Sequence, residues 1–293
     1  MTKPIVVAME ASASSIEALE EALPIARRRG AEIVMVHATP LPGDENGEYD
    51  MISPGVLAGY HSLLKSKLAK TRTEIAEIRQ RYLGRGVEIS LSLLADVAEK
   101  AVATVAEEVD AAFIVVGSKR ERGVSRFLLG SVAERVSRFT DRDVLVARGT
   151  VENGVYNNVL VAVDFSATSD KAFQRALELT AEGGKITLFH CVQLPPAVAG
   201  FVSTDVIAAM QGPVAERLKE TAAAGRQRNL DVSVVIEGGY PPEKLREQAQ
   251  SADLVVMGSH GRRGFRRFLL GSVAEKTIRH APCSVYIARA DPN

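Results

Sequence analysis

The chain has 293 residues, 46% of them apolar and 25% charged, which is the composition of a globular domain protein and excludes a disordered, collagenous or low-complexity chain. Thirty-six basic residues balance thirty-six acidic ones, so no global field marks it for nucleic acid or an anionic membrane. The first residues hold no apolar signal core, and no run nears the roughly eighteen apolar residues of a spanning helix, so a cytoplasmic protein is expected. Taken in chain order, the short β-branched runs 5–9 (IVVAM), 33–36 (IVMV), 87–91 (VEISL), 113–116 (FIVV) and 144–147 (VLVA) predict five buried strands. Residues 14–29, 54–83, 96–108 and 131–139 carry apolar side chains at helical spacing, so helices alternate with those strands. The stretch 149–158 (GTVENGVYNN) has turn chemistry and no apolar period, and it predicts a linker. Strands then return at 159–163, 186–189, 232–236, 254–257 and 285–288, with helices starting near Ser166, Ser203, Pro242 and Ser272. The long connections 39–53 and 193–204 predict loops or lids.

The alternation repeats because the sequence repeats. RGVSRFLLGSVAERVSR at 122–138 returns 141 residues later as RGFRRFLLGSVAEKTIR, with twelve of seventeen positions identical. A period that long is a whole domain and not a solenoid unit. The expected fold is therefore α/β: two tandem Rossmann-like domains, 1–149 and 156–293. Each is a five-stranded parallel sheet of order 3-2-1-4-5 flanked by helices.

The one chemically specific pattern is G-x2-G-x9-G-S, read as Gly258, Gly261, Gly271 and Ser272. A glycine ending the fourth strand lets a ligand approach the backbone and permits φ angles other residues avoid. Gly271 and Ser272 open the last helix, whose free N–H groups and positive dipole end attract anions. The loop between them holds His260, Arg262, Arg263, Arg266 and Arg267, a local positive patch in a neutral chain. Asp164 ends the first strand of the same half, where a carboxylate can accept from ribose hydroxyls at the switch point. Each feature has a plainer reading. Ser272 to Glu275 (SVAE) is also a capping box, a strand-end aspartate is commonly a turn residue, and His37 and His190 read as structural. Cys191 and Cys283 read as reduced, buried thiols, and no metal-ligand spacing appears. P-loop, nucleophile-elbow and G-x-G-x-x-G patterns are missing.

The segments Val161-Ala162-Val163-Asp164-Phe165-Ser166, Leu188-Phe189-His190, Gly258-Ser259-His260-Gly261 with Gly271-Ser272, and His280-Ala281-Pro282-Cys283 resemble the universal stress protein family, over nearly the whole chain as two domains. The resemblance implies ATP binding, alone or with Mg2+. It implies Asp164 at the ribose, Cys191 by the adenine, and Gly258, His260, Gly261, Gly271, Ser272 and Val273 around the phosphates. Phe165, Met257 and Arg262 complete the implied site. The first copy departs from the pattern: Glu10 replaces the aspartate and Arg120 the second glycine, leaving Glu10, Gly117, Arg120, Gly130, Ser131 and Val132 as a degenerate second site. The resemblance also implies pairing through strand five, which a tandem chain can satisfy internally as a pseudo-dimer, with a further homodimer left open.

No residue reads as a general base aimed at water, so the expected function is an ATP-dependent stress or signalling module acting on a protein partner, with hydrolysis at most slow. A nucleotide-independent interaction module, and a binder of another adenine nucleotide such as cyclic AMP, remain the alternatives. A nucleotidyl transferase would need an H-x-G-H signature, which is missing.

Overall fold

The computed structural model describes residues 2–39, 54–118, 129–193, 204–261 and 270–290. The elements run β1 (Ile5–Ala8), α1 (Ala13–Arg29), β2 (Ile33–Ala38), α2 (Pro54–Tyr82), β3 (Ile89–Leu94), α3 (Ala98–Glu108), β4 (Phe113–Gly117), α4 (Ser131–Phe139) and β5 (Val144–Ala147). The second half follows with β6 (Tyr156–Ala162), α5 (Ala167–Leu179), β7 (Thr180–Gln193), α6 (Thr204–Arg226), β8 (Asp231–Gly239), α7 (Pro241–Gln248), β9 (Leu254–Gly258), α8 (Ser272–His280) and β10 (Ser284–Ala288).

All ten strands form one sheet in the order β3-β2-β1-β4-β5-β10-β9-β6-β7-β8. Each half is parallel within itself and reads 3-2-1-4-5 from its outer edge, so the switch point falls between its first and fourth strands. Buried side chains cover both sheet faces, one layer running from Ile5 and Leu19 to Tyr286, the other from Val6 and Val102 to Val285. Burial on both faces is why the strands read as unbroken apolar runs.

The halves meet where β5 and β10 run antiparallel, Tyr286 opposite Leu145. Each strand is followed by an arginine that reaches across the joint. Arg148 donates to the carbonyls of Ile278 and Ala281 at the end of α8, and Arg289 donates to the carbonyl of Ser137 in α4. These are carbonyls that a helix end leaves unsatisfied, so each half caps a helix of the other.

The predicted linker is packed structure. Val151 is buried, Glu152 and Val155 form an antiparallel bridge, and Asn153 and Gly154 turn between them at φ 54 and 75. Asn-Gly with both φ positive is the tight hairpin turn, and a Cβ at Gly154 would strike the Pro24 carbonyl of α1. β6 starts at Tyr156, inside the stretch expected to be linker, because Tyr156 is buried with its hydroxyl on Glu21, 2.6 Å away.

Strand ends also differ from expectation. β3 runs two residues later than predicted at its start and three later at its end, and β2, β7 and β8 extend past their apolar runs. Apolar composition marks only the covered middle of a strand, whereas hydrogen bonding continues to pairs such as Ala38 with Leu94 and Gln193 with Gly239.

Candidate functional site

The switch-point crevice of the second half has a volume of about 1160 Å³, and Asp164, Cys191, Met257, Gly258, His260, Gly261, Gly271, Ser272 and Val273 all line it. Phe165 does not. Its backbone sits at φ 63 and its ring packs between the His190 ring, 5.1 Å away, and the Arg217 guanidinium, 4.4 Å above it. Arg262, like Arg120 and the other loop cations, lies outside the described residues, as do the loops or lids expected at 39–53 and 193–204 apart from Thr39, Gln193 and Thr204.

Two roles assigned to glycine change. Gly258, Gly261 and Gly271 all lack positive φ, so space and not conformation selects them. A Cβ on Gly258 would sit 2.5 Å from Thr168 Oγ1, so this glycine admits the first turn of α5. Gly117 does the same in the first half, where a Cβ would meet the backbone carbonyl of Ser14. At Gly258 the Cβ would also meet Thr168 Cβ at 2.9 Å and its backbone carbon at 3.0 Å, so rotating the hydroxyl does not relieve the clash, and Gly117→Ala is expected to lower stability by about 3 kcal/mol and Gly258→Ala by about 2 kcal/mol in urea unfolding. Gly261 faces the other way: its Cβ would lie 2.8 Å from Asp164 Oδ2. The second glycine of the motif therefore makes room for the strand-end carboxylate.

Asp164 does act as a turn residue with one oxygen. Oδ1 accepts from the Ser166 backbone N–H (3.0 Å) and hydroxyl (2.6 Å), which holds the carboxylate in place with Oδ2 beside Gly261. In the first half the turn is held differently, by Ser15 donating its hydroxyl to the Glu10 carbonyl, and Glu10 itself is exposed.

The capping-box reading of Ser272 to Glu275 fails, and the first half starts its helix the same way. The N-cap of α8 is Gly271 and that of α4 is Gly130, neither with a side-chain cap, and Ser272 and Ser131 are already the first helical residues. Glu275 N–H donates to the Gly271 carbonyl as the first helical bond, which leaves the N–H groups of Ser272, Val273 and Ala274 without an intrahelical partner. The box glutamates turn to the joint instead, Glu275 to Arg138 (2.8 Å) and Glu134 to Arg279 (3.3 Å).

His260 continues from β9 into the loop. Its carbonyl accepts from Thr168 Oγ1 (2.7 Å), its Nδ1 shares a hydrogen bond with Ser259 Oγ (3.0 Å), and its Nε2 is buried with no partner among the described residues. Burial, then the charge of Arg289, lowers its pKa below the ordinary 6.5, so the ring is neutral at pH 7. Cys191 is half-buried and its thiol, pushed up to about 11 by burial, is neutral too. Sequence reasoning missed the apolar lining from Ala162, Val192, Val214, Pro241 and Leu245, which come from four elements that only the fold gathers. His190, read as structural, lines the crevice while its Nδ1 holds the Val163 carbonyl at 2.7 Å.

The first-half crevice is lined by Glu10, Gly117, Gly130, Ser131 and Val132 as expected, but it measures about 240 Å³, below the roughly 300 Å³ where ligand pockets begin. Among the described residues no group of three His, Cys, Asp or Glu gathers around a metal position, and no helix is long and apolar enough to cross a membrane.

The fold and these crevices define a tandem Rossmann-like protein with a switch-point cleft in each half. The chain belongs to the universal stress protein family, whose model matches residues 1–148 and again 156–289. It is 29% identical over 197 residues to a universal stress protein of Mycolicibacterium smegmatis and 32% identical over 192 residues to one of Mycobacterium tuberculosis. Each match covers 61% of this chain, and the chain spans 62% of the length of those relatives. A universal stress protein from Archaeoglobus fulgidus shares the fold with a TM-score of 0.71 at 22% identity, over 99% of both chains. A functionally unknown protein from Pseudomonas aeruginosa does so with a TM-score of 0.64 at 17% identity, over 99% of this chain and 93% of that one.

Proposed function

We propose that the chain is a stress or signalling module whose second half binds one adenine nucleotide, ATP by preference, with any Mg2+ carried in on the phosphates. The observation that supports this most is the start of α8: a glycine N-cap leaves the N–H groups of Ser272, Val273 and Ala274 without an intrahelical partner, and these residues line the crevice that Asp164 also lines. Helix N-termini of this kind hold phosphate, and strand-end carboxylates at switch points hold ribose. The apolar lining and the neutral Cys191 thiol suit a planar base. The first half, whose crevice is smaller, is assigned no nucleotide. The protein acts by binding, with nucleotide occupancy setting its affinity for a protein partner.

Titration calorimetry with ATP, AMP and cyclic AMP tests the reading against its alternatives. Preference for ATP supports it, preference for cyclic AMP moves the ligand, and no binding leaves a nucleotide-independent interaction module. Gly261→Ala carries the ribose assignment. Its Cβ displaces Asp164 Oδ2, so ATP affinity should fall about 10-fold, the worth of one charged hydrogen bond, while urea stability stays within about 0.5 kcal/mol. A neutral His260 gains a positive charge only below its lowered pKa. ATP affinity should therefore rise between pH 7.5 and 5.5 more steeply in the native protein than in His260→Asn, and equal slopes would remove His260 from the phosphate contacts.

A further inference from the structure

We propose that the joint between the halves is keyed, so that each half accepts the unlike half and rejects a second copy of itself. The pairing of β5 with β10 is antiparallel about the Leu145 and Tyr286 pair, which relates the halves by an approximate two-fold axis. Asp143 and Ser284, each two residues before that pair, are equivalent. The backbone confirms it: Arg148 N–H donates to Ser284 Oγ at 2.9 Å and Arg289 N–H to Asp143 Oδ1 at 2.7 Å. Ser12 and Ser166 are the N-caps of α1 and α5, so Glu21 and Arg175, each nine positions further on, are equivalent as well.

One side of the joint is the same in both halves. Glu134 and Arg138 of α4 face Glu275 and Arg279 of α8, a square of charges that like and unlike pairs alike could form. The other side is not symmetric. Glu21, fully buried, meets Ser284 and the Tyr156 hydroxyl, with the Gly149 N–H at 3.3 Å. At the equivalent place Arg175 Nε donates to Asp143 Oδ2 at 2.8 Å, and the Tyr286 hydroxyl joins at 3.0 Å. Two first halves paired in this way would set Glu21 against Asp143, two buried carboxylates with no cation between them. Two second halves would set Arg175 against Ser284, leaving the guanidinium only the half-exposed Glu178 of its own half, 3.3 Å away, in place of the buried Asp143. Specificity built by placing like charge in the wrong complex is a common device, and in a duplicated chain it directs each strand-five edge to its own second half.

The full chain can be made to carry the rejected contact. Ser284→Asp sets a carboxylate against Glu21 as a like pair would, and Ser284→Asn has the same shape without the charge. In urea unfolding at pH 8 the Asp variant should have an unfolding constant about 100-fold above the Asn variant, and adding Glu21→Gln should close most of that gap. Should Ser284→Asp fail to fold, the double variant must fold. Equal stability of the Asp and Asn variants, a gap that survives Glu21→Gln, or a double variant that stays unfolded would each overturn the proposal.

Discussion

Gly271→Glu is expected to lower ATP affinity by about 100-fold, close to 3 kcal/mol, and to leave the protein folded. The backbone there has φ −63 and ψ 149, which any residue adopts, and a Cβ would lie 3.2 Å from the Ser259 carbonyl, a contact relieved by a shift of a few tenths of an ångström. The new carboxylate would stand at the positive end of α8, supplying the negative charge that end attracts and repelling a phosphate from it. Gly271→Ala adds the contact without the charge and should cost affinity far less. Calorimetry of the two variants beside the native protein, with circular dichroism to show that each is folded, separates charge from shape. Equal affinity in Gly271→Glu and native protein would mean that the phosphates lie elsewhere. The same substitution at Gly130, the equivalent N-cap of α4, should leave ATP binding unchanged, because the nucleotide is assigned to the second half.

Asp143→Ala should be the most damaging change at the joint, lowering stability by about 3–5 kcal/mol. Asp143 is 3% exposed and accepts from Arg175 Nε, the Tyr286 hydroxyl and the Arg289 backbone N–H, at 2.8, 3.0 and 2.7 Å. Removing it takes the carboxylate from three donors where water reaches poorly, one of them the Arg175 guanidinium, which then keeps only Glu178. The exposed pair Lys219 and Glu216, 2.7 Å apart, provides the contrast: with both side chains mostly in solvent, Glu216→Ala should change stability by less than about 0.5 kcal/mol. Urea unfolding of the two variants side by side measures the difference. A loss under about 1 kcal/mol at Asp143 would show that water fills the gap and that the joint tolerates it.

The sheet was readable because parallel strands buried on both faces leave a run of β-branched residues, and the repeat at 122–138 and 263–279 forced two copies of whatever fold one copy made. Strand ends were less readable, since pairing runs on past the covered middle of the strand, to Leu93, which is apolar yet exposed, and to the charged Glu237. The stretch 149–158 was misread because its polar letters describe a tight turn whose burial comes from α1, far away in sequence. In the site, spacing found the motif glycines but not what each makes room for: Gly258 accommodates Thr168, and a Cβ at Gly261 would strike the Asp164 carboxylate. The sequence SVAE fits a capping box letter for letter. What excludes the box is that the helix begins one residue early, with Gly271 in the cap, and that Glu275 is held by an arginine of the other half. Beyond Met257 and Val273, the apolar lining of the crevice had no sequence signal, because Ala162, Val214, Pro241 and Leu245 share nothing but their final position.

The nucleotide content of the purified protein, released by heat or acid and resolved by chromatography with base, phosphate number and moles per chain recorded, tests the central claim most directly. The account predicts close to one ATP per chain, lost in Gly271→Glu and retained in Gly130→Glu. A protein that carries no nucleotide and takes up none when ATP and magnesium are added would contradict it.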